Sequence, residues 1–327
     1  MVAFADLRQG MDLYRTMTTI RSVENALSRL FADGEVPGFI HLSIGQEAVA
    51  AGVCSALRPG DTVATTHRGH GHVLARGLDL DAFFMEIMGK AGGICAGRGG
   101  SMHVSDMRLG IIGANGIVGA GIPIALGSAL AHSIQGRDSI AVAFFGDGAM
   151  AEGVLHETLN MAALWRLPLL LVCENNGWSE FSPTSRQFVG NLGLLAAAFQ
   201  VTHQRADGND VAAVSAAAIQ AADQLRSGQG PMIVECITQR VRGHYEGDPQ
   251  KYRSADELSA LGDGDPIERA AAALRIGGIA PEQLLQISQE VDALVESAIR
   301  RARSEPEPAF QSAANGVYEQ PAGQGPA

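Results

Sequence analysis

Positive charge is the first shortage in this chain. Lys and Arg number 24 against 35 Asp and Glu, a formal net charge of −11 at pH 7. That balance argues against a nucleic-acid groove or an anionic membrane surface as the main partner. It leaves room for a small buried anion site, which needs only a few local cations. Cysteine is scarce as well. Cys54, Cys95, Cys173 and Cys236 are scattered, without a CxxC pair or a ladder. A zinc ribbon, a redox pair and a disulfide scaffold are thereby disfavoured, and the four read as small apolar packing in a reducing compartment. No apolar run approaches the roughly 20 residues of a membrane helix. Met1 to Asp6 show no basic region followed by an apolar core, so no secretory signal is expected, and a cytoplasmic location is the default. Two nucleotide motifs are missing: there is no GxxxxGK[ST], and Gly119-x-Gly121 has Ile124 where a dinucleotide fingerprint needs its third glycine. His156-Glu157 is followed by Asn160 rather than a second histidine, which removes a zinc-protease helix.

What the chain has in quantity is apolar residues, 46% of the total, and glycine, 40 of 327 residues. This is enough core for one large α/β domain or two smaller ones. The informative stretch runs from Ser139 to Trp178. Ile140-Ala141-Val142-Ala143-Phe144-Phe145 reads as a buried strand and stops on Gly146-Asp147-Gly148. Helical spacing follows through Leu155, Leu159, Ala162 and Ala163, and a second apolar run, Leu169 to Cys173, stops on Glu174-Asn175-Asn176. Strand, helix, strand is a βαβ unit. Its right-handed crossover brings both strand ends to one edge, where open α/β sheets bind ligands. Asp147 and Asn176 are therefore expected side by side. A carboxylate and an amide oxygen are hard ligands of the kind magnesium takes. Gly146 and Gly148 would let backbone approach a ligand closely, and a helix opening near Ala149 would aim free N–H groups at phosphate. Gly-Asp-Gly alone is usually an ordinary strand-end turn; with Asn-Asn at the end of the next strand it is far more specific.

Together these motifs resemble the thiamine diphosphate signature. Phe145-Gly146-Asp147-Gly148-Ala149, Leu159-Asn160-Met161-Ala162-Ala163-Leu164-Trp165 and Asn176 resemble one family in particular: the alpha subunit of the thiamine-dependent first component of 2-oxoacid and acetoin dehydrogenase complexes. The resemblance spans about residues 10 to 260. It implies an α/β, three-layer thiamine diphosphate-binding fold, with a mainly parallel sheet and helices on both faces. Residues 1–303 would form a domain of the diphosphate-binding type with helical extensions at both ends. From Ser304 to 327 Pro, Glu, Gln and Gly dominate, and that tail is expected to be disordered.

The resemblance also assigns residues. Asp147, Asn176 and the main-chain carbonyl of Trp178 would hold magnesium, with Gly148 and Ala149 beside the cofactor. Arg68 and His244 would hold the diphosphate. His67 stands next to Arg68 where the family carries a tyrosine, so the contact from that hydroxyl is in doubt. Gly116 and Val118 would offer backbone groups to the aminopyrimidine ring. His41 would face the substrate, making His41 and His244 the catalytic candidates. Trp178 replaces a usual tyrosine, and Ser179-Glu180-Phe181 is bulkier than the family's small residues. Gly-His-Tyr-Glu-Gly-Asp-Pro at 243–249 looks closer to acetoin-type subunits than to mammalian pyruvate-type ones, and Tyr245 stands where the latter carry a regulatory serine. On residue type alone, His41 is more often a core histidine. His67, His70 and His72 are separated by glycine, with no cysteine or carboxylate close by in sequence, which disfavours zinc.

The implied activity is cleavage of a carbon–carbon bond in acetoin or in a 2-oxoacid such as pyruvate, with transfer of the acyl fragment to a lipoyl carrier on an acyltransferase component. Thiamine enzymes need a second domain type whose glutamate activates the aminopyrimidine. The chain has length for only one type, so a beta subunit supplying that glutamate, in an α2β2 assembly, is implied. A branched-chain 2-oxoacid subunit and a non-catalytic partner of the same fold are the alternatives. Elsewhere, helices are expected at about 6–33, to Leu225 after Asp207-Gly208-Asn209-Asp210, at 266–275 and at 281–303, with a strand over 231–237.

Overall fold

The computed structural model describes residue 4 and residues 6–314. The strands among them are β1 (Thr62–Ala64), β2 (Ile111–Gly113), β3 (Ala141–Gly146), β4 (Leu169–Asn175), β5 (Trp178–Ser179), β6 (Ser182–Pro183), β7 (Thr202–Asp207) and β8 (Met232–Ile237). β5 and β6 form a small antiparallel hairpin, and the other six make one all-parallel sheet in the order β2-β1-β3-β4-β8-β7. The helices are α1 (Leu7–Ala32), α2 (Glu47–Cys54), α3 (His70–Ala75), α4 (Leu80–Ile87), α5 (Gly121–Ile134), α6 (Gly153–Trp165), α7 (Leu192–Ala198), α8 (Val211–Arg226), α9 (Ala255–Ala260), α10 (Pro266–Ile276) and α11 (Pro281–Ser304). None of the described helices is long and apolar enough to cross a membrane.

β3 and β4 are apolar at almost every position because both faces of the sheet are covered. Ala141, Ala143 and Phe145 join Leu169, Leu171 and Cys173 in a cluster completed by α5, α6 and α7. Val142 and Phe144 join Leu170 and Val172 in another, closed by Val49 and Val53 of α2 and by Val214, Ala218 and Ala221 of α8. This is the three-layer arrangement. A third cluster lies to one side, where Met17, Ile20 and Leu27 of α1 pack with Phe83 and Phe84 of α4 and with Val291, Val295 and Ile299 of α11. Ile40, Leu42 and Ile44 are buried in it, which fixes the loop that carries His41.

Long apolar or well-capped segments appear where the sequence places them. Asp6 caps α1 by accepting from the Arg8 N–H at 2.8 Å, and Asp210 caps α8 through the N–H groups of Ala212 and Ala213. The elements with weak patterns went unpredicted: β1 and β2 are three residues each, and α4 and α7 are short. β7 is Thr-His-Gln-Arg-Ala-Asp, an edge strand whose polar side chains hide the alternation. One expectation is corrected outright. No helix opens near Ala149; Asp147–Ala151 form a single 3₁₀ turn, Glu152 is extended (φ −81, ψ 132), and α6 starts at Gly153. Of the expected tail, the start is placed, with the Ala91 N–H donating to the Pro306 carbonyl at 2.9 Å. Positions after 314 lie outside the described residues.

Candidate active site

The winding of the sheet reverses beside β1: the chain passes from β1 to β2 on one side and then to β3 on the other. The carboxyl ends of β1 and β3 thus flank the switch point at which parallel sheets hold ligands. His67 and Arg68 follow β1, Asp147 follows β3, Asn176 follows β4 and Arg240 follows β8. A cavity of about 240 Å³ opens between these four strand ends, with His41, His244, Gly116 and Val118 among its walls.

β3 and β4 pair in register from Ala141↔Leu169 to Gly146↔Glu174, so the next residues of both emerge together. The backbone N–H of Asn176 donates to Asp147 Oδ1 at 3.3 Å, and the Thr184 hydroxyl donates to Oδ2. Asn176 Oδ1 accepts from the Trp178 N–H at 3.1 Å, while its Nδ2 donates to Gln46 Oε1 at 3.0 Å. Asp147 is 1% exposed and forms no ion pair among the described residues. Burial pushes its carboxyl above the usual range, against the pull of the Thr184 hydrogen bond and the backbone donors. A buried carboxylate without an ion-pair partner among the described residues, beside an amide oxygen, fits a hard divalent cation. The Trp178 side chain is engaged elsewhere. Its indole Nε1 donates to Glu257 at 2.7 Å, and its ring lies 5.1 Å from Tyr252 with the Arg253 guanidinium over it at 5.4 Å.

The two glycines of the Gly-Asp-Gly turn differ from each other. A Cβ on Gly146 would meet nothing within 4 Å, so this position keeps the cavity floor open. A Cβ on Gly148 would fall 2.5 Å from the Ser179 hydroxyl. Gly148 is small where the β5–β6 hairpin crosses it, and it also lines the cavity beside Gly146. Ala149, 1% exposed, lines the cavity from the 3₁₀ turn.

Two buried guanidinium groups supply the positive charge. Arg68, 5% exposed, donates through Nη1 to the Leu42 carbonyl at 2.6 Å and through Nη2 to the His244 carbonyl at 3.0 Å. Burial, followed by the nearby Arg240, lowers its pKa to about 9. Arg240 donates through Nη2 to the Glu180 carbonyl at 3.1 Å and the Tyr252 hydroxyl at 2.9 Å, and its buried Nε has no hydrogen-bond partner. Neither arginine forms an ion pair among the described residues. Held by neutral acceptors, both are suited to an anion entering the cavity. Sequence reasoning assigned Arg240 no role; its place at the end of β8 was the one available signal. Gln46 and Glu174, buried in the cavity wall, were missed as well.

The histidines separate into two groups. His70 bonds Glu24 (3.1 Å) and Ser101 (2.7 Å), and His72 bonds Thr65 (2.5 Å) and Glu174 (3.1 Å). Carboxylates distant in sequence thus partner two of the histidines of the 65–72 segment. His67 turns the other way, into the cavity, where its ring centroid lies 4.7 Å from His41 and 5.5 Å from His244; His41 and His244 are 5.0 Å apart. Burial and then the Arg68 guanidinium depress protonation of all three, to about 3 for His41 and about 4 for His244. The three could converge on a metal ion by distance alone, since their ring nitrogens lie within 4.8 Å of one another. The same guanidinium field that keeps them neutral opposes a cation there. Gly116 and Val118 form the facing wall.

Fold and site define a parallel α/β protein that presents an acid–amide pair and two arginines at a sheet switch point, an arrangement for a phosphorylated ligand with its divalent cation. The family profile described as "Dehydrogenase E1 component" matches residues 15–311, and the chain belongs to that family. Among curated relatives, the alpha subunit of acetoin:2,6-dichlorophenolindophenol oxidoreductase from Bacillus subtilis is 42% identical over 94% of this chain and 92% of its own length. The corresponding subunit from Cupriavidus necator is 42% identical over 94% and 93%. The alpha subunit of the pyruvate dehydrogenase E1 component from Rhizobium meliloti is 42% identical over 90% and 86%.

Proposed function

We propose that this chain is the alpha subunit of a thiamine diphosphate- and magnesium-dependent dehydrogenase that cleaves acetoin or a 2-oxoacid such as pyruvate and passes the acyl fragment to a lipoyl carrier. The observation that carries the reading is the meeting of Asp147 and Asn176 at the ends of β3 and β4, with a buried carboxylate that forms no ion pair among the described residues. Membership of the E1 family and relatives named for acetoin and pyruvate support it.

In this reading Asp147, Asn176 and the Trp178 carbonyl hold magnesium. Arg68 and Arg240, with His244, bind the diphosphate. Gly116 and Val118 orient the aminopyrimidine ring through their backbone groups. Thiamine diphosphate, when bound, supplies the carbon nucleophile and the electron sink that the side chains lack. His41, neutral and buried, hydrogen-bonds the substrate at the cavity's far end, and the apolar wall around Val118 excludes water once covered. No described residue supplies that cover. Val118 lines the cavity yet is 48% exposed, and the adjoining Ile117 is 73% exposed. A beta subunit laid over this wall would complete the site and bring the glutamate that activates the cofactor.

Calorimetry with thiamine diphosphate and magnesium tests the reading. Asp147→Ala in the reconstituted complex is expected to abolish magnesium-dependent binding, and unchanged affinity would refute the assignment.

A further inference from the structure

The three cavity histidines differ from the other buried ones in a way the proposed function leaves unused. His70 and His72 have both ring nitrogens engaged. The rings of His41, His67 and His244 make no hydrogen bond among the described residues, and His41 Nδ1 is buried without a partner. A neutral imidazole in this state carries one free N–H and one free lone pair. Burial and the Arg68 field keep the three neutral, so lone pairs are present at working pH. His67 stands between the other two and occupies the position given to tyrosine by the family resemblance. A phenol with a pKa near 10 donates a proton at neutral pH but does not accept one; an imidazole does both.

We propose that His67 is a proton acceptor that fits this cavity to a neutral α-hydroxy ketone rather than to a 2-oxo acid. The inference rests on the thiamine-dependent reading above, which supplies the electron sink. When a hydroxy ketone is cleaved, the bond between its carbonyl carbon and its carbinol carbon breaks. The electron pair stays with the acyl fragment. The carbinol O–H gives its proton to the imidazole nitrogen, its oxygen closes to a carbonyl, and an aldehyde leaves. A 2-oxo acid needs no such acceptor, because its carboxylate is already deprotonated when carbon dioxide departs. A diphosphate held by Arg68, as in the reading above, would offset the guanidinium field that opposes a proton on His67 in the empty cavity.

The test uses the complex of this chain with its beta subunit. His67→Tyr and His67→Ala are compared with the parent for acetaldehyde release from acetoin, for carbon dioxide release from pyruvate, and for thiamine diphosphate affinity by calorimetry. General-base loss predicts that kcat for acetoin cleavage falls by about 100-fold or more in both variants. Cofactor affinity should stay within about threefold of the parent, and free imidazole should restore part of the His67→Ala rate. Any pyruvate turnover should fall at least about tenfold less than acetoin cleavage does. Parallel loss on both substrates, retained acetoin cleavage in His67→Tyr, or a parent complex without acetoin cleavage would overturn the proposal. A parent that binds no thiamine diphosphate would instead sink the underlying reading, and calorimetry shows this before any substrate is added.

Discussion

Single residues in this site are placed against their own solvation. Asp147 is buried with no ion pair among the described residues, and its carboxyl is pushed up by that burial. An acid whose folded pKa is raised destabilises the fold as pH climbs through the ordinary carboxylate range. Asp147→Asn is therefore expected to raise the melting temperature of the cofactor-free chain at pH 7 while removing the further rise on adding magnesium and thiamine diphosphate. Thermal shift with and without ligand reads both effects. His41 and His244 act in the opposite pH direction. Their pKa values are lowered from 6.5 to about 3 and about 4. Below pH 6.5 the unfolded chain takes up protons that the folded rings refuse, so stability should fall as pH drops toward about 5, above the range where carboxylates titrate. Denaturant midpoints measured from pH 7 to 5 should decline, and His41→Asn with His244→Asn should flatten that decline.

Among the elements, the glycine-rich segment before β2 shows how a wall with little side-chain bulk is held. Glu86, at the end of α4 and fully buried, accepts four backbone N–H groups: Cys95 (2.7 Å), Gly97 (2.9 Å), Gly99 (2.7 Å) and Gly100 (3.0 Å). The segment leads to Ser101, bonded to His70, and to Met102 in the cavity wall. Glu86→Gln replaces one acceptor oxygen by an NH₂ group facing donors, with an expected stability loss of about 1–3 kcal/mol. Amide exchange at Gly97, Gly99 and Gly100 should quicken while β3 and β4 remain protected. Gly93 closes the same junction: a Cβ there would lie 2.5 Å from the Glu86 carboxylate and 2.6 Å from its Cα. Gly93→Ala should cost about 1–3 kcal/mol in chemical denaturation through forced backbone movement.

For the whole molecule, the balance is one of completeness. The sheet is covered on both faces, a helical cluster of α1, α4 and α11 packs beside it, and the cavity is walled on the strand-end side by this chain alone. Its other side includes exposed Val118, next to exposed Ile117 in the sequence. The proposed half-site therefore predicts no turnover from the purified chain and recovery on adding the beta subunit, measured by reduction of an artificial electron acceptor. Turnover by the chain alone would contradict it.

By itself the sequence determined the parts whose physics is local. The apolar runs of β3 and β4 specify buried strands, the spacing in α1 and α11 specifies helices, and Asp147 and Asn176 stand at strand ends because Gly and Asn stop those runs. Tertiary structure decided what depends on distant segments. It brought His67 to His41 and His244 while sending His70 and His72 to buried carboxylates, although all three lie within one short segment. It brought Arg240 into the cavity wall, set Gly148 against Ser179, and replaced an expected helix start by a 3₁₀ turn. Each of these outcomes was set by which groups from elsewhere compete for burial and hydrogen bonds at that point, and local spacing carries no record of such partners.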